Sequence, residues 1–281
     1  MSMIRSKLKE NWKYILIFVL GFAIAMYPVI SRLYYRIEAN NEVREFDTRA
    51  KMMDKKEIDR RIRLAQIYNK TLDPSKLVDP YSEKEKRNAI SEYARMLEVR
   101  EKMGHVEIPK INQDLPIYAG TSDEVLQKGV GHLEGTSLPV GGKSTHCVLT
   151  AHRGLPTAKL FTDLNKMKKG DVFYVHNIKE VLAYKVIDIY VVEPSDFDKV
   201  LVVEGKDYCT LLTCTPYMIN SHRLLVRAER TKYDPAALEK DLVSQVTGKY
   251  KIYLIISSII IAILLWYYIR QRRRKKKDEL N

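Results

Sequence analysis

The chain has 281 residues, 46% of them hydrophobic, enough for a sizeable core in one or two domains. Its formal charge of +13 is not the footprint of a nucleic-acid binder: residues 31–248 hold 35 Lys and Arg against 32 Asp and Glu, about +3, and the remaining excess sits in short runs at the two ends. No stripe of basic residues interleaved with aromatics occurs between them, so nucleic acid is excluded as a partner.

Residues 1–13 carry Arg5, Lys7, Lys9 and Lys13, and YILIFVLGFAIAMYPVI follows at 14–30. At 1.5 Å per residue this run is close to the ~30 Å of a hydrocarbon layer, and it reads as a transmembrane segment. No small-x-small cleavage site follows it, which favours an uncleaved signal anchor over a removable signal peptide. A second apolar run, IYLIISSIIIAILLWYYI, lies within residues 250–269 and ends on Trp266, Tyr267 and Tyr268, aromatics of the kind found at a membrane interface. RQRRRKKK then opens the tail at 270–281. Basic residues outside both spans place both termini in the cytoplasm and the intervening chain outside the cell, a two-pass arrangement.

Residues 31–103 read as helical: Leu64, Ile67 and Tyr68, then Ile90, Tyr93, Met96 and Leu97, recur at helical spacing, each set giving one apolar face to bury. Asp79-Pro80-Tyr81 interrupts this section. Pro80 suits a first helical turn and Ser82-x-x-Glu85 is a capping box, so one reading is simply the start of a helix running to Met103.

Residues 104–232 change character. HVEIPKI, DLPIYAG, THCVLTAH, DVFYVHN, VLAYKVIDIYVVE, YCTLLTC and RLLVRAER are short β-branched or aromatic runs separated by Gly, Asn, Asp and Pro. Seven or eight such strands predict a mainly β fold, a sandwich or closed barrel, with TAKLFTDLNKM as a helical interruption. Residues 233–249 read as a linker.

Three cysteines on an exported domain leave at least one outside any intramolecular disulfide. Cys214 ends an apolar strand just before Thr215-Pro216, where the chain leaves the sheet, a partly open position that suits a nucleophile as well as an inert core thiol. A thiolate nucleophile needs a proton partner and a group to stabilise charge on the attacked carbonyl. His152 stands at the end of VLTAH beside the Arg153-Gly154 turn. His222 competes, but it neighbours Arg223, and adjacent strand residues face opposite ways, so only one of that pair can face Cys214. His105, His132, His146 and His176 read as structural or surface histidines, and Arg223, in isolation, as a solvated strand-end charge. Cys209-x4-Cys214 with His222 has no metal-ligand spacing, and no cofactor is expected. Cys147 precedes His152 by five residues, as Cys209 precedes Cys214. If the strands ending in His152 and Cys214 are parallel neighbours, the two spare cysteines share a level on the opposite face, as a reduced pair or as a disulfide if their Cα atoms lie within ~7 Å.

TLLTC, an arginine nine residues after its cysteine leading RLLVR, and the upstream TAHRG together resemble the signature of sortases, the membrane-anchored cysteine transpeptidases of Gram-positive bacteria. The two flanking spans and a helical extension carrying Asp79-Pro80-Tyr81 are similar to the pilus-assembling class C. The resemblance implies a closed sortase-type β-barrel of about eight strands, Cys214 as nucleophile, His152 as general acid and base, and Arg223 as the group steadying the substrate carbonyl. It further implies a lid at Asp79, Pro80 and Tyr81 over that site, and a substrate groove shaped by roughly Val192 to Asp207. The implied partners are pilins bearing an LPXTG-like sorting motif, cleaved between Thr and Gly and joined to a lysine by an isopeptide bond. A housekeeping-type sortase anchoring proteins to the cell wall, or a non-catalytic pilin-binding scaffold, are the alternatives.

Overall fold

The computed structural model describes residues 12–72, 96–99, 101–240, 243, 257–259, 261–262 and 266. Asp79-Pro80-Tyr81 and most of the second apolar run lie outside the described residues. The first apolar run does not end as a separate segment. It forms the first part of one helix, α1 (Trp12–Met52), which continues past Pro28 into the following charged section. The most apolar window of α1 has a mean hydropathy of 2.2 and none of it is buried. Among the described residues, α1 is the one helix long and apolar enough to cross a membrane.

A second helix, α2 (Lys55–Lys70), starts where the Asp54 carboxylate accepts from the backbone N–H groups of Lys56 and Glu57, satisfying donors a helix start leaves open. It buries Ile62 and Ala65. Its buried Asn69 accepts from the Leu138 N–H at 2.8 Å and donates to the Leu138 carbonyl at 3.3 Å, fastening the helix to the loop beneath it. Most of the expected helix to Met103 lies outside the described residues, and at its last residues Glu101 turns left-handed at φ 68° and strand pairing starts at Lys102.

Eight strands follow: β1 (Lys102–Ile108), β2 (Gln113–Ala119), β3 (Val130–His132), β4 (Thr145–Thr150), β5 (Val172–His176), β6 (Val181–Val192), β7 (Asp207–Thr215) and β8 (His222–Thr231). They close into a barrel in the order β1-β2-β3-β4-β7-β8-β6-β5, with β4 and β7 parallel and β8 antiparallel to both β7 and β6. Side-chain alternation splits the sheet. Cys147, Leu149, Cys209, Leu211 and Val226 belong to the main core. Val148, Leu212 and Leu225 face the other way and form a smaller cluster with Leu133 and Val200.

Among the short elements with no counterpart in the sequence reading are β3 and the helix α3 (Asp123–Lys128), capped by the Ser122 hydroxyl accepting from the Val125 N–H. TAKLFTDLNKM is not a helix. The Phe161 N–H bonds the His152 carbonyl instead of a helical partner, Leu160 has a positive φ, and only a 3-10 turn at Leu164–Lys166 remains. The expected linker also carries structure: residues 235–240 are helical, with the Asp234 side chain accepting from the Ala236 N–H.

α1 is fastened along the barrel by charge. Lys102, buried on β1, pairs with Glu42 and, at 2.8 Å, with Glu45. Also buried on β1, His105 bonds Asp47 of α1 at 3.3 Å and Asp114 of β2 at 2.6 Å. Burial disfavours a charged ring, but the two carboxylates outweigh it and raise His105 to about 9.

Candidate active site

Cys214 near the end of β7 is the register partner of Arg223 near the start of β8, and Thr215 is the partner of His222. Residues directly opposite in an antiparallel pair share a face, so Cys214 and Arg223 lie on one side of the sheet while His222 lies on the other. His222 is instead occupied at the rim, with Nε2 3.1 Å from Glu193 and Nδ1 2.8 Å from the Ser221 hydroxyl.

His152 arrives from β4. The parallel register pairs Thr150 with Leu212, and the ladder persists past the strand end, with the Ala151 N–H donating to the Leu212 carbonyl at 3.3 Å. Carrying that register forward sets His152 level with Cys214 and, by alternation, on the same face. The three elements therefore bring Cys214, His152 and Arg223 together on the outer face of the barrel. Below them on that face lie Val148, Leu212 and Leu225. The connection from β6 to β7 supplies Val200 and Phe197 alongside, and β6 supplies Tyr190 and Val192. This is a buried apolar cluster on the face that carries Cys214 and Arg223.

Two of these residues differ in setting from the sequence expectation. Cys214 is not partly open: it is 5% exposed. Nor is Arg223 a solvated charge. It is 7% exposed, and its Nη1 donates to the backbone carbonyls of Asn220 at 3.0 Å and His222 at 3.2 Å, which fixes the guanidinium against the turn between β7 and β8. A guanidinium keeps its charge there at any relevant pH and presents donors in a rigid fork.

Sequence reading missed the residues that hold the strand ends in place. Arg153, next to His152, donates from Nη1 to the Thr215 hydroxyl at 2.9 Å and from Nε to the Thr162 carbonyl at 3.2 Å. On the other side of Cys214, the buried Thr213 hydroxyl donates to the Ala151 carbonyl at 2.7 Å. Residues flanking the cysteine thus bridge to residues flanking the histidine. The TAHRG string contained Arg153, but no spacing rule pointed to its partner.

The remaining histidines and cysteines have structural surroundings. His146 is buried with Nδ1 at 2.9 Å from the Leu201 carbonyl, so Nδ1 carries the proton and Nε2 accepts from the Thr210 hydroxyl at 2.8 Å. Burial, joined by the charge of Arg227, lowers it to about 4 and keeps it neutral. His132 is buried, with Nε2 2.9 Å from the Ser137 carbonyl. His176 stacks on His105 with ring centroids 4.0 Å apart. Cys147 and Cys209 are register partners on β4 and β7, both buried and both free thiols. Burial alone would raise Cys147, but hydrogen bonds from Cys209 and His132 lower it, while burial and the hydrogen bond with Cys147 raise Cys209. Among the described residues no cluster of His, Cys, Asp and Glu could hold a metal ion.

Comparison with known proteins adds the family. Residues 106–231, from β1 to the end of β8, match the sortase domain model. Sortase A of Bacillus anthracis is 30% identical over 135 residues, 47% of this chain and 61% of that protein; the chain thus spans just over half the length of the curated relatives it matches. Solved structures are more similar. Sortase C of Streptococcus pneumoniae is 58% identical, with a TM-score of 0.64 over 69% of this chain and 97% of that one. The pilus-related sortase C of Group B Streptococcus is 59% identical, with a TM-score of 0.66 over 68% and 97%. Identity of this order across nearly the whole of those structures, on the same closed barrel, means that the chain belongs to the sortase family.

Proposed function

We propose that the chain is a membrane-anchored cysteine transpeptidase that assembles pili. The observation that carries this reading is the pairing of Cys214 with Arg223 across β7 and β8, beside the parallel β4–β7 register that, extended by two residues, brings His152 level with Cys214. Its supports are the 58–59% identity to sortases C, one of them named pilus-related and another described by its pilin substrate specificity.

In this reaction an LPXTG-like motif lies extended beside Cys214, Arg223 and His152. His152 takes the Cys214 proton, and the sulfur attacks the Thr carbonyl carbon. Arg223 stabilises the oxyanion, a role for preorganised donors where charge develops. The carbon–nitrogen bond to Gly breaks and His152 returns the proton to the departing amine, leaving a thioester on Cys214. The side-chain amine of a pilin lysine then attacks that carbonyl, gives up a proton to His152, and displaces the sulfur. The product is an isopeptide bond, and the thioester conserves the energy of the broken peptide bond in the interval, so no ATP is needed outside the cell.

The burial of Cys214 and Arg223 fits a site under cover, the part we assign to Asp79, Pro80 and Tyr81 as a lid. We further assign residues 14–30 as an uncleaved anchor and 250–269 as a second span, with both basic termini in the cytoplasm. The test is a choice of acceptor. Purified full chain is given a sorting peptide with either a lysine-bearing pilin or a wall-type oligoglycine amine. Isopeptide formation with the pilin supports this reading; preference for the wall amine assigns the chain to the housekeeping role instead.

A further inference from the structure

The structure ties the active-site end of the barrel to the point where α1 leaves the apolar run, and this has a consequence for the turn between β7 and β8. Arg32 lies two residues past Ile30, about 3 Å along the helix axis. Its Nε donates to the carbonyl of Pro156 at 3.3 Å, and Pro156 lies four residues after His152 in the chain. The opposite end of the fastening is at Glu45 and Asp47, more than a dozen residues further up α1, so the helix lies along the barrel with its apolar end toward His152.

The segment after His152 touches the β7–β8 turn. A Cβ added at Gly154, whose φ is +100°, would stand 3.2 Å from both Met218 Sδ and a ring carbon of Tyr217. Residues 216–220 close on themselves, the Pro216 carbonyl accepting from the N–H groups of Ile219 and Asn220, and the turn points its apolar side chains outward. Tyr217, Met218 and Ile219 are 45%, 66% and 71% exposed, and Leu33 and Tyr34 on the adjoining part of α1 are exposed too. Three consecutive exposed apolar residues on a turn at this level are costly in water and favourable in a lipid interface.

We propose that the turn formed by residues 216–220 is a membrane-contact element, seating Tyr217, Met218 and Ile219 in the outer surface of the bilayer that holds α1. The occupant follows from continuity: the same end of the barrel is already joined to the helix that enters the bilayer. The turn leads directly into Arg223, whose Nη1 donates to the Asn220 carbonyl, so a turn seated in lipid sets Cys214 and Arg223 at a constant height above the membrane. A substrate tethered in the same membrane then meets the cysteine at a high effective concentration. This inference rests on the reading of residues 14–30 as a membrane span.

The test uses the full chain in phosphatidylcholine–phosphatidylglycerol vesicles containing a lipid with a diazirine near its headgroup. After illumination, cross-linked peptides are mapped by mass spectrometry. Lipid adducts are expected on Tyr217–Ile219 and on residues 14–30. Adducts on 14–30 with none on 217–219 overturn the proposal and leave the anchor standing; none on 14–30 overturn the anchor itself. A second arm uses Met218→Asp with Ile219→Asp, verified as folded by circular dichroism. Turnover of a sorting peptide carried on a lipid anchor should fall about 10-fold while turnover of the same peptide free in solution is unchanged. Equal change in the two, or none in either, contradicts a role for the turn at the membrane.

Discussion

Cys214 and Arg223 are opposite partners across β7 and β8, so the pairing that closes this part of the barrel also sets the thiol and the guanidinium on one face. The next pair, Thr215 and His222, faces the other way. In the proposed reaction Arg223 is therefore an oxyanion donor and His222 a bystander. Arg223→Lys keeps the charge and loses the fork, and kcat/KM should fall by about 10²-fold or more, ~2.7 kcal/mol. His222→Ala removes a rim contact to Glu193 and should change kcat/KM less than about threefold. Peptide cleavage kinetics on both variants check the assignment; the reverse pattern would move the role to His222.

The Arg153–Thr215 bond joins the strand end after His152 to the one after Cys214. Neither side chain needs to touch substrate, so both act by positioning. Arg153→Met and Thr215→Val should each lower kcat by about 10-fold, ~1.4 kcal/mol, with KM for the peptide little changed. The double variant should be no worse than the poorer single one, because each change breaks the same bond. Thr215→Ser keeps the hydroxyl and should restore activity. Additive losses, or failure of serine to rescue, would show that the bond is not what matters.

A lid over the cysteine predicts faster chemistry when it is weakened. If Asp79 and Tyr81 cover the site, the enzyme reacts from its open fraction, and Asp79→Ala with Tyr81→Ala should raise the rate of Cys214 labelling by a small thiol reagent about 10-fold. Helix initiation alone predicts a slightly lower Tm and unchanged labelling. Rate and Tm measured on the same variant distinguish the two roles.

Docking of α1 on the barrel is pH-dependent through His105. Its folded value, about 9, exceeds the ordinary 6.5, so its contribution is complete below pH ~6.5 and is lost as pH rises through about 9. Asp47 is shifted the other way, lowered by its hydrogen bond to His105, so its contribution is present above pH ~4 and disappears in stronger acid. Thermal stability should be greatest between pH ~4 and ~6.5 and decline toward pH 9, by on the order of 3 kcal/mol for the buried ring. His105→Gln should flatten that decline. An equal slope in the variant would show that other groups cause it.

The parts legible in the sequence were those carried by local pattern. TLLTC and RLLVR alternate within β-branched and leucine runs, and both are strands. Equal spacing from Cys147 to His152 and from Cys209 to Cys214 made the pairing of the spare thiols readable, given parallel neighbours, and the register bears that pairing out. What stayed hidden depended on contacts between distant residues. β3 is three residues long, too short for a period. TAKLFTDLNKM has helical spacing, but its backbone is claimed by the His152 carbonyl. The bridge from Arg153 to Thr215 arises only once β4 and β7 are assembled.

The most direct measurement is capture of the covalent intermediate. The full chain is incubated with an LPXTG peptide without acceptor amine, quenched in acid, digested, and analysed by mass spectrometry. The expected result is a peptide containing Cys214 that has gained the substrate up to its Thr residue, sensitive to hydroxylamine and absent in Cys214→Ala, while Cys147→Ala and Cys209→Ala still form it. An adduct on another residue, or peptide cleavage by Cys214→Ala, would contradict Cys214 as the nucleophile.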